Sequence, residues 1–212
     1  MDNKWREIWN RRKPGTGKLS GNWEDTFLEL KRLNGYDVMG EGISLDAFLD
    51  EYAQTKELLC LTNDSSVFEV GCGTGANLYL MQRGMTVGGT DYAEGLIETA
   101  RAVLSSPAEL YAGEADAITV DQKYDAIFAS GVFPYFPSDD YAVHVLDLMR
   151  EKSRGAIGIM GLHDIEKRED YLAFRRANIP NYDALYKDLQ RHFYTHSLFT
   201  DYASTHGLRI AF

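Results

Sequence analysis

The sequence predicts a doubly wound α/β fold with a mostly parallel sheet, preceded by a helical N-terminal cap. Three observations lead there. From Ser66 onward, short apolar runs alternate with amphipathic helical stretches, the rhythm of strands joined by helical crossovers. The first of those runs, Val67 to Val70, passes directly into the glycine-rich turn Gly71-Cys72-Gly73-Thr74-Gly75, which opens a helical segment. The residues before Ser66 lack that alternation and read as helices and loops.

Asn3 to Asn10 place Trp5, Ile8 and Trp9 on one helical face by i, i+3, i+4 spacing. Arg11 to Gly21, with Pro14, Gly15 and Gly17, reads as a loop. A second helix is expected from Trp23 to Leu33, stopped by Asn34-Gly35. A third starts at Ser44, an N-cap, with Leu45, Phe48, Leu49, Tyr52, Leu58 and Leu59 on its apolar side. Strands are expected at Val67–Val70, Thr86–Thr90, Glu109–Tyr111, Tyr124–Ala129, Ala156–Gly161 and Leu208–Phe212. Helices at Ala76–Arg83, Ala93–Leu104, Asp139–Lys152 and Ile165–Asn178 lie between them. The last helix, Ser197–His206, ends before Gly207. The expected division is a helical cap over 1–62 and an α/β domain over 63–212.

The chain has 212 residues, 44% hydrophobic and 25% charged, which suits one globular domain with a substantial core. Its formal net charge of −10 argues against a nucleic-acid partner, which needs a basic surface. Two cysteines, Cys60 and Cys72, make neither a disulfide framework nor a metal quartet and suit a reducing cytoplasm, the expected location. No apolar run approaches the roughly 20 residues of a membrane span, and the first residues are too polar for a secretory signal. The expected partner is a small molecule, with no nucleic acid, membrane or metal, on a monomer or homodimer.

Glycines let the first turn bend tightly and let a ligand approach its backbone. Asp91 ends the second strand, where a carboxylate accepts two hydrogen bonds from a ribose diol. Glu114, followed by Ala115, comes after the third strand and is placed to accept from an exocyclic amine. Glu69 precedes the first glycine by two residues and is placed to anchor the turn or an ammonium group. Gly71, Gly73 and Ala76 also satisfy the dinucleotide pattern G-x-G-x-x-A, so a NAD(P)-dependent oxidoreductase remains an alternative here.

At these residues the chain resembles the class I S-adenosylmethionine (SAM)-dependent methyltransferases, over about Ser66 to Gly161. Glu69-Val70-Gly71-Cys72-Gly73-Thr74-Gly75 is similar to that family's first motif, whose turn cradles the methionine part of the cofactor. Asp91 matches the family's ribose-binding acid, and Glu114-Ala115 the usual Asp-Ala that contacts adenine. Tyr124 to Ser130 resembles the fourth strand and its mouth. Trp5 and Trp9, followed by Arg11-Arg12, resemble the N-terminal lid of thiopurine-methyltransferase-like members.

The resemblance implies a Rossmann-like sheet and SAM as cofactor. It implies methyl transfer to a small acceptor, expected at an oxygen of a sugar, carboxylate or natural-product intermediate. It further implies a cofactor set of Glu69, Gly71, Cys72, Gly73, Gly75, Asn77, Asp91, Tyr92, Glu114, Ala115, Ser130 and Trp9. A non-catalytic SAM-binding protein is a further alternative. The family sheet closes with an antiparallel seventh strand, and the sequence offers no segment for it.

Acceptor-side residues are expected on loops at the carboxyl edge of the sheet. The loop Ser130 to Phe136 supplies aromatic walls, including Tyr135. His163 and Asp164 follow the fifth strand and are the general-base candidates, so His163, Asp164 and Tyr135 form the catalytic set. Tyr194 is a further aromatic near that edge. His192 and His196 share i, i+4 spacing without an acidic partner motif. Trp5 and Trp9 are expected to close over the cofactor and exclude water. Cys72 reads as a small filler within the turn.

Overall fold

The computed structural model describes residues 4–13, 19, 21–38, 42–189 and 191–212. Three helices come first: α1 (Lys4–Asn10), α2 (Trp23–Leu33) and α3 (Leu45–Leu58). Side chains close two of them at the N-terminus. Asn22 accepts from the Asp25 N–H at 2.9 Å, and Ser44 from the Ala47 N–H at 3.2 Å. Then follow β1 (Ser66–Val70), α4 (Ala76–Met81), β2 (Thr86–Asp91), α5 (Glu94–Val103), β3 (Glu109–Ala112), β4 (Tyr124–Ser130), α6 (Asp139–Lys152) and β5 (Ser153–Met160). The chain continues through α7 (Arg168–Asn178), α8 (Tyr182–Leu185) and α9 (His196–Thr205).

Among the described residues the strands make one sheet, ordered β3-β2-β1-β4-β5, with every neighbouring pair parallel. Successive strand residues face opposite sides, so both faces need cover. Val67, Val87, Ala126 and Phe128 pack with Leu78, Met81, Ile97 and Ala100 of α4 and α5. Phe68, Val70 and Ile127 pack instead with Ala142, Val145, Leu146 and Met149 of α6 and Phe199 and Tyr202 of α9. This two-sided burial is why β1 and β4 read as continuous apolar runs. Phe27, Leu30 and Phe48 of α2 and α3 pack on Ala76 and Leu80 of α4, so the cap rests directly on the helix behind the glycine turn. Strand order reverses between β1 and β4, which opens a crevice at their carboxyl ends.

The expected strand at Leu208–Phe212 is not formed. After Gly207, whose φ is +65°, the Leu208 N–H donates to the Ala203 carbonyl at 2.8 Å. Phe212 then stacks on His196 with ring centroids 4.7 Å apart. Phe212 thus packs against α9, and among the described residues β5 is a sheet edge. The helix expected over Ile165–Asn178 is split into a 3₁₀ turn at Ile165–Lys167 and α7, because Asp164 caps the turn by accepting from the Glu166 N–H at 2.9 Å. Pro14, Gly15 and Gly17 of the expected loop, and Asn3 of the expected first helix, lie outside the described residues. Among the described residues no helix is long and apolar enough to cross a membrane.

Candidate functional site

The turn after β1 is closed by its own hydrogen bonds. Gly71 and Cys72 donate their N–H groups to the Thr90 carbonyl at 2.7 and 2.9 Å, and Gly75 donates to Cys72 at 2.8 Å. Gly73 donates to Asp91 Oδ2 at 2.9 Å, and Thr74 to Asn34 Oδ1 at 2.9 Å. All five N–H groups from Gly71 to Gly75 are therefore engaged. Such a turn has no N–H left to cradle a phosphate.

Two of the glycines are required by close packing as well as by positive φ. At Gly71 (φ +72°) a Cβ would sit 2.3 Å from Val132 Cγ2, and at Gly73 (φ +55°) 2.4 Å from Asn34 Oδ1. The space expected to admit a ligand is thus filled, on that side, by the loop after β4 and by the end of α2. Gly73→Ala is expected to destabilise the fold by about 1–3 kcal/mol, since Asn34 must move and release Thr74. Chemical denaturation measures this.

Two buried carboxylates flank the turn. Asp91 Oδ1 accepts from the Ala93 N–H at 2.8 Å while Oδ2 holds Gly73, so this side chain ties the turn to the start of α5. Burial raises its pKa to about 6 despite those two bonds. Glu69 is more deeply enclosed. Its Oε1 accepts from the Asn77 amide at 2.7 Å, and Asn77 in turn accepts from Lys31 Nζ at 2.9 Å. Glu69 Oε2 is buried with no hydrogen-bond partner among the described residues. Desolvation pushes the Glu69 carboxyl well above the usual range, and the same burial lowers Lys31. Cys72 is buried against Gly89, and burial raises its thiol pKa, which fits a filler rather than a nucleophile.

Helix α1 lies across the mouth. Arg6 pairs with Glu114 and sits 5.3 Å from the Tyr92 ring centroid. Glu114 thus accepts from a protein side chain, at the position where the sequence suggests a ligand's exocyclic amine. Trp5 and Trp9 meet Tyr135 edge-on at 4.9 and 6.0 Å, and Asn10 accepts from the Gly95 N–H at 3.2 Å. Ala115 starts a 3₁₀ turn beside Glu114. Ser130 closes β4, and its side chain lies near the Tyr36 hydroxyl. The residues expected on the cofactor side thus lie at or just beyond the carboxyl ends of β1 to β4 and on α1 and α4, and Tyr135 contacts both tryptophans of α1.

Beyond β5, His163 is half-buried between the rings of Tyr171 (4.6 Å) and Phe193 (5.1 Å). Burial lowers its pKa to about 4, helped by the positive charges of Arg191 and Arg175. Asp164 does not join it. Its carboxylate caps the next turn and lies 3.5 Å from His196. Tyr194 is buried, donating to the Phe133 carbonyl at 2.7 Å, and His192 pairs with Asp139 at 2.7 Å. Sequence reasoning missed Lys31, Asn34, Arg6, Arg175 and Arg191. The one available signal was the density of arginine and aromatic residues from Tyr171 to Phe193.

The family described as "Methyltransferase domain" matches residues 67–151, the stretch from β1 to α6 that carries the turn and both carboxylates. Residues 67–151 belong to a class I SAM-dependent methyltransferase domain. No curated protein matches the chain. Among solved structures, the methyltransferase is similar to magnesium protoporphyrin IX methyltransferase from Synechocystis PCC 6803, solved with bound SAH. That match has 15% identity and a TM-score of 0.61 over 99% of this chain and 87% of the other. A putative methyltransferase from Bacillus halodurans C-125 matches with 15% identity and a TM-score of 0.57, over 74% and 68% of the two chains. An amino pentose methyltransferase from Micromonospora echinaspora, solved with SAM, matches with 16% identity and a TM-score of 0.51, over 61% of each. At these identities the likeness is one of fold.

Proposed function

We propose that this methyltransferase transfers the methyl group of SAM to an oxygen of a compact small-molecule acceptor. One observation carries the cofactor assignment. The turn has spent its five N–H donors internally, while two buried carboxylates, Glu69 and Asp91, stand beside it. A site poor in free donors and rich in acceptors suits a ligand bearing hydroxyls and positive charge, and it disfavours the pyrophosphate of a nicotinamide dinucleotide.

SAM fits that donor set. The orphaned Oε2 of Glu69 suits an ammonium group, and Asp91 keeps lone pairs for a ribose diol. Glu114 suits the adenine amine, in exchange for Arg6. When bound, SAM supplies an electrophilic methyl group on its sulfonium. The chain's own residues do the rest. Trp5, Trp9 and Tyr135 exclude water from the mouth, and positioning of this kind accounts for a large share of such rate enhancements, roughly 7–11 kcal/mol in favourable intramolecular systems. His163 stays neutral at physiological pH, and in its Nε2–H tautomer the buried Nδ1, which has no hydrogen-bond partner among the described residues, is free to take the acceptor's proton.

The test is transfer of radiolabelled methyl from SAM to a panel of hydroxylated and carboxylated acceptors. The expected product is an O-methyl ether or ester. Label appearing only on amines would contradict the oxygen assignment.

A further inference from the structure

A second cluster lies beside the site just described, and the cofactor does not account for it. The chain reversal after α7 brings Arg175 and Arg191 to one ring, with their guanidinium carbons 5.9 and 6.0 Å from the Tyr171 centroid. Arg175 also lies 5.6 and 5.5 Å from the Tyr182 and Tyr186 rings. Arg191 lies 5.8 and 5.3 Å from those of Trp5 and Tyr135. The ion pairs of α7 are made by its neighbours, Arg168 with Glu169 and Arg176 with Asp183. Among the described residues neither Arg175 nor Arg191 has an ion-pair partner, although the chain carries a net charge of −10 and has carboxylates to spare.

The same few residues hold unmet hydrogen-bonding capacity. His163 Nδ1, the Tyr171 hydroxyl and Arg175 Nε are all buried without a partner among the described residues. Buried polar groups are normally satisfied, and three orphans in one cluster mark a place built around something else. Two guanidinium groups held in aromatic surroundings specify its charge. Planar N–H forks match carboxylate and phosphate oxygens in pairs, and such bonds strengthen where rings exclude water.

We propose that Arg175 and Arg191, with the Tyr171 hydroxyl, form an oxyanion anchor for the acceptor. The enzyme's substrate is then a carboxylate- or phosphate-bearing molecule whose ring is walled by Trp5 and Tyr135. The inference rests on the methyltransferase reading only in calling this ligand the acceptor. Because Trp5 belongs to α1 and Tyr135 touches both tryptophans, the anchored molecule lies under the same helix that covers Glu114.

The test is an NMR titration of 15N-labelled protein, following the arginine Nε–H signals. Sodium phosphate and 4-hydroxybenzoate are added at constant ionic strength, with 4-hydroxybenzamide as the neutral match. Saturable shifts of both Arg175 and Arg191 are expected with each anion and not with the amide, while exposed Arg101, paired with Glu94, stays unsaturated. Arg175→Gln and Arg191→Gln are each expected to weaken 4-hydroxybenzoate at least tenfold, and Arg101→Gln to leave it unchanged. S-adenosylhomocysteine affinity is expected to stay within about twofold in all three variants. Shifts that fail to saturate, or that match those of Arg101, would overturn the anchor. Failure of S-adenosylhomocysteine to bind the wild type would instead count against the methyltransferase reading, and the anion result would stand apart from it.

Discussion

Asp91→Ala is expected to weaken SAM binding by at least about 100-fold. The side chain holds two backbone N–H groups at once, those of Gly73 and Ala93. A hydrogen bond to a charged group contributes about 1.5–3 kcal/mol, and each 1.4 kcal/mol is a tenfold change in affinity. Losing both loosens the turn from α5 and also removes the acceptor offered to a ribose diol. Asp91→Asn separates the two roles, because its single carbonyl oxygen keeps one of the N–H bonds but not the negative charge. The pH dependence has a definite sign. Burial raises the Asp91 pKa to about 6, and accepting from hydroxyls favours the ionised form, so affinity rises with pH up to about that value and then levels off. Calorimetric titration across pH 5–8 reads both effects, with circular dichroism confirming that the variants fold.

His163→Ala is expected to lower turnover by about 10²–10⁴-fold with a hydroxyl acceptor, the usual contribution of a positioned base. The imidazole lies beyond β5 between the rings of Tyr171 and Phe193, so SAM affinity should stay within about twofold. The wild-type pH profile carries a second signature. In the free enzyme His163 is held near 4 by burial and by Arg191 and Arg175. A bound oxyanion offsets those two charges, so the midpoint in kcat should lie above that in kcat/KM. Identical midpoints, or unchanged turnover in the variant, would remove His163 from the base role and leave it as a packing residue between two rings.

What the sequence disclosed follows the range of the interactions involved. The turn from Gly71 to Gly75 was legible because strand, turn and helix are contiguous and positive φ demands glycine. Asp91 and Glu114 were legible for the same reason, each lying just past the end of a strand. Their actual partners were not. Arg6 reaches Glu114 across 108 positions, and Asn34 reaches Thr74 across 40, distances at which spacing carries no signal. The oxyanion cluster was hidden for a related reason. Arg175 and Arg191 meet only because the chain turns back near Asn181, which adopts a left-handed φ of +57°. Leu208–Phe212 was misread because a short apolar run looks the same whether it joins a sheet or folds back on a helix.

The proposed cofactor site is formed by Glu69, Asp91 and the closed glycine turn. Its most direct test is calorimetric titration of the wild-type protein with SAM and, separately, with NAD. Saturable 1:1 binding of SAM with no heat from NAD is the expected result. Tight binding of NAD with none of SAM would contradict it.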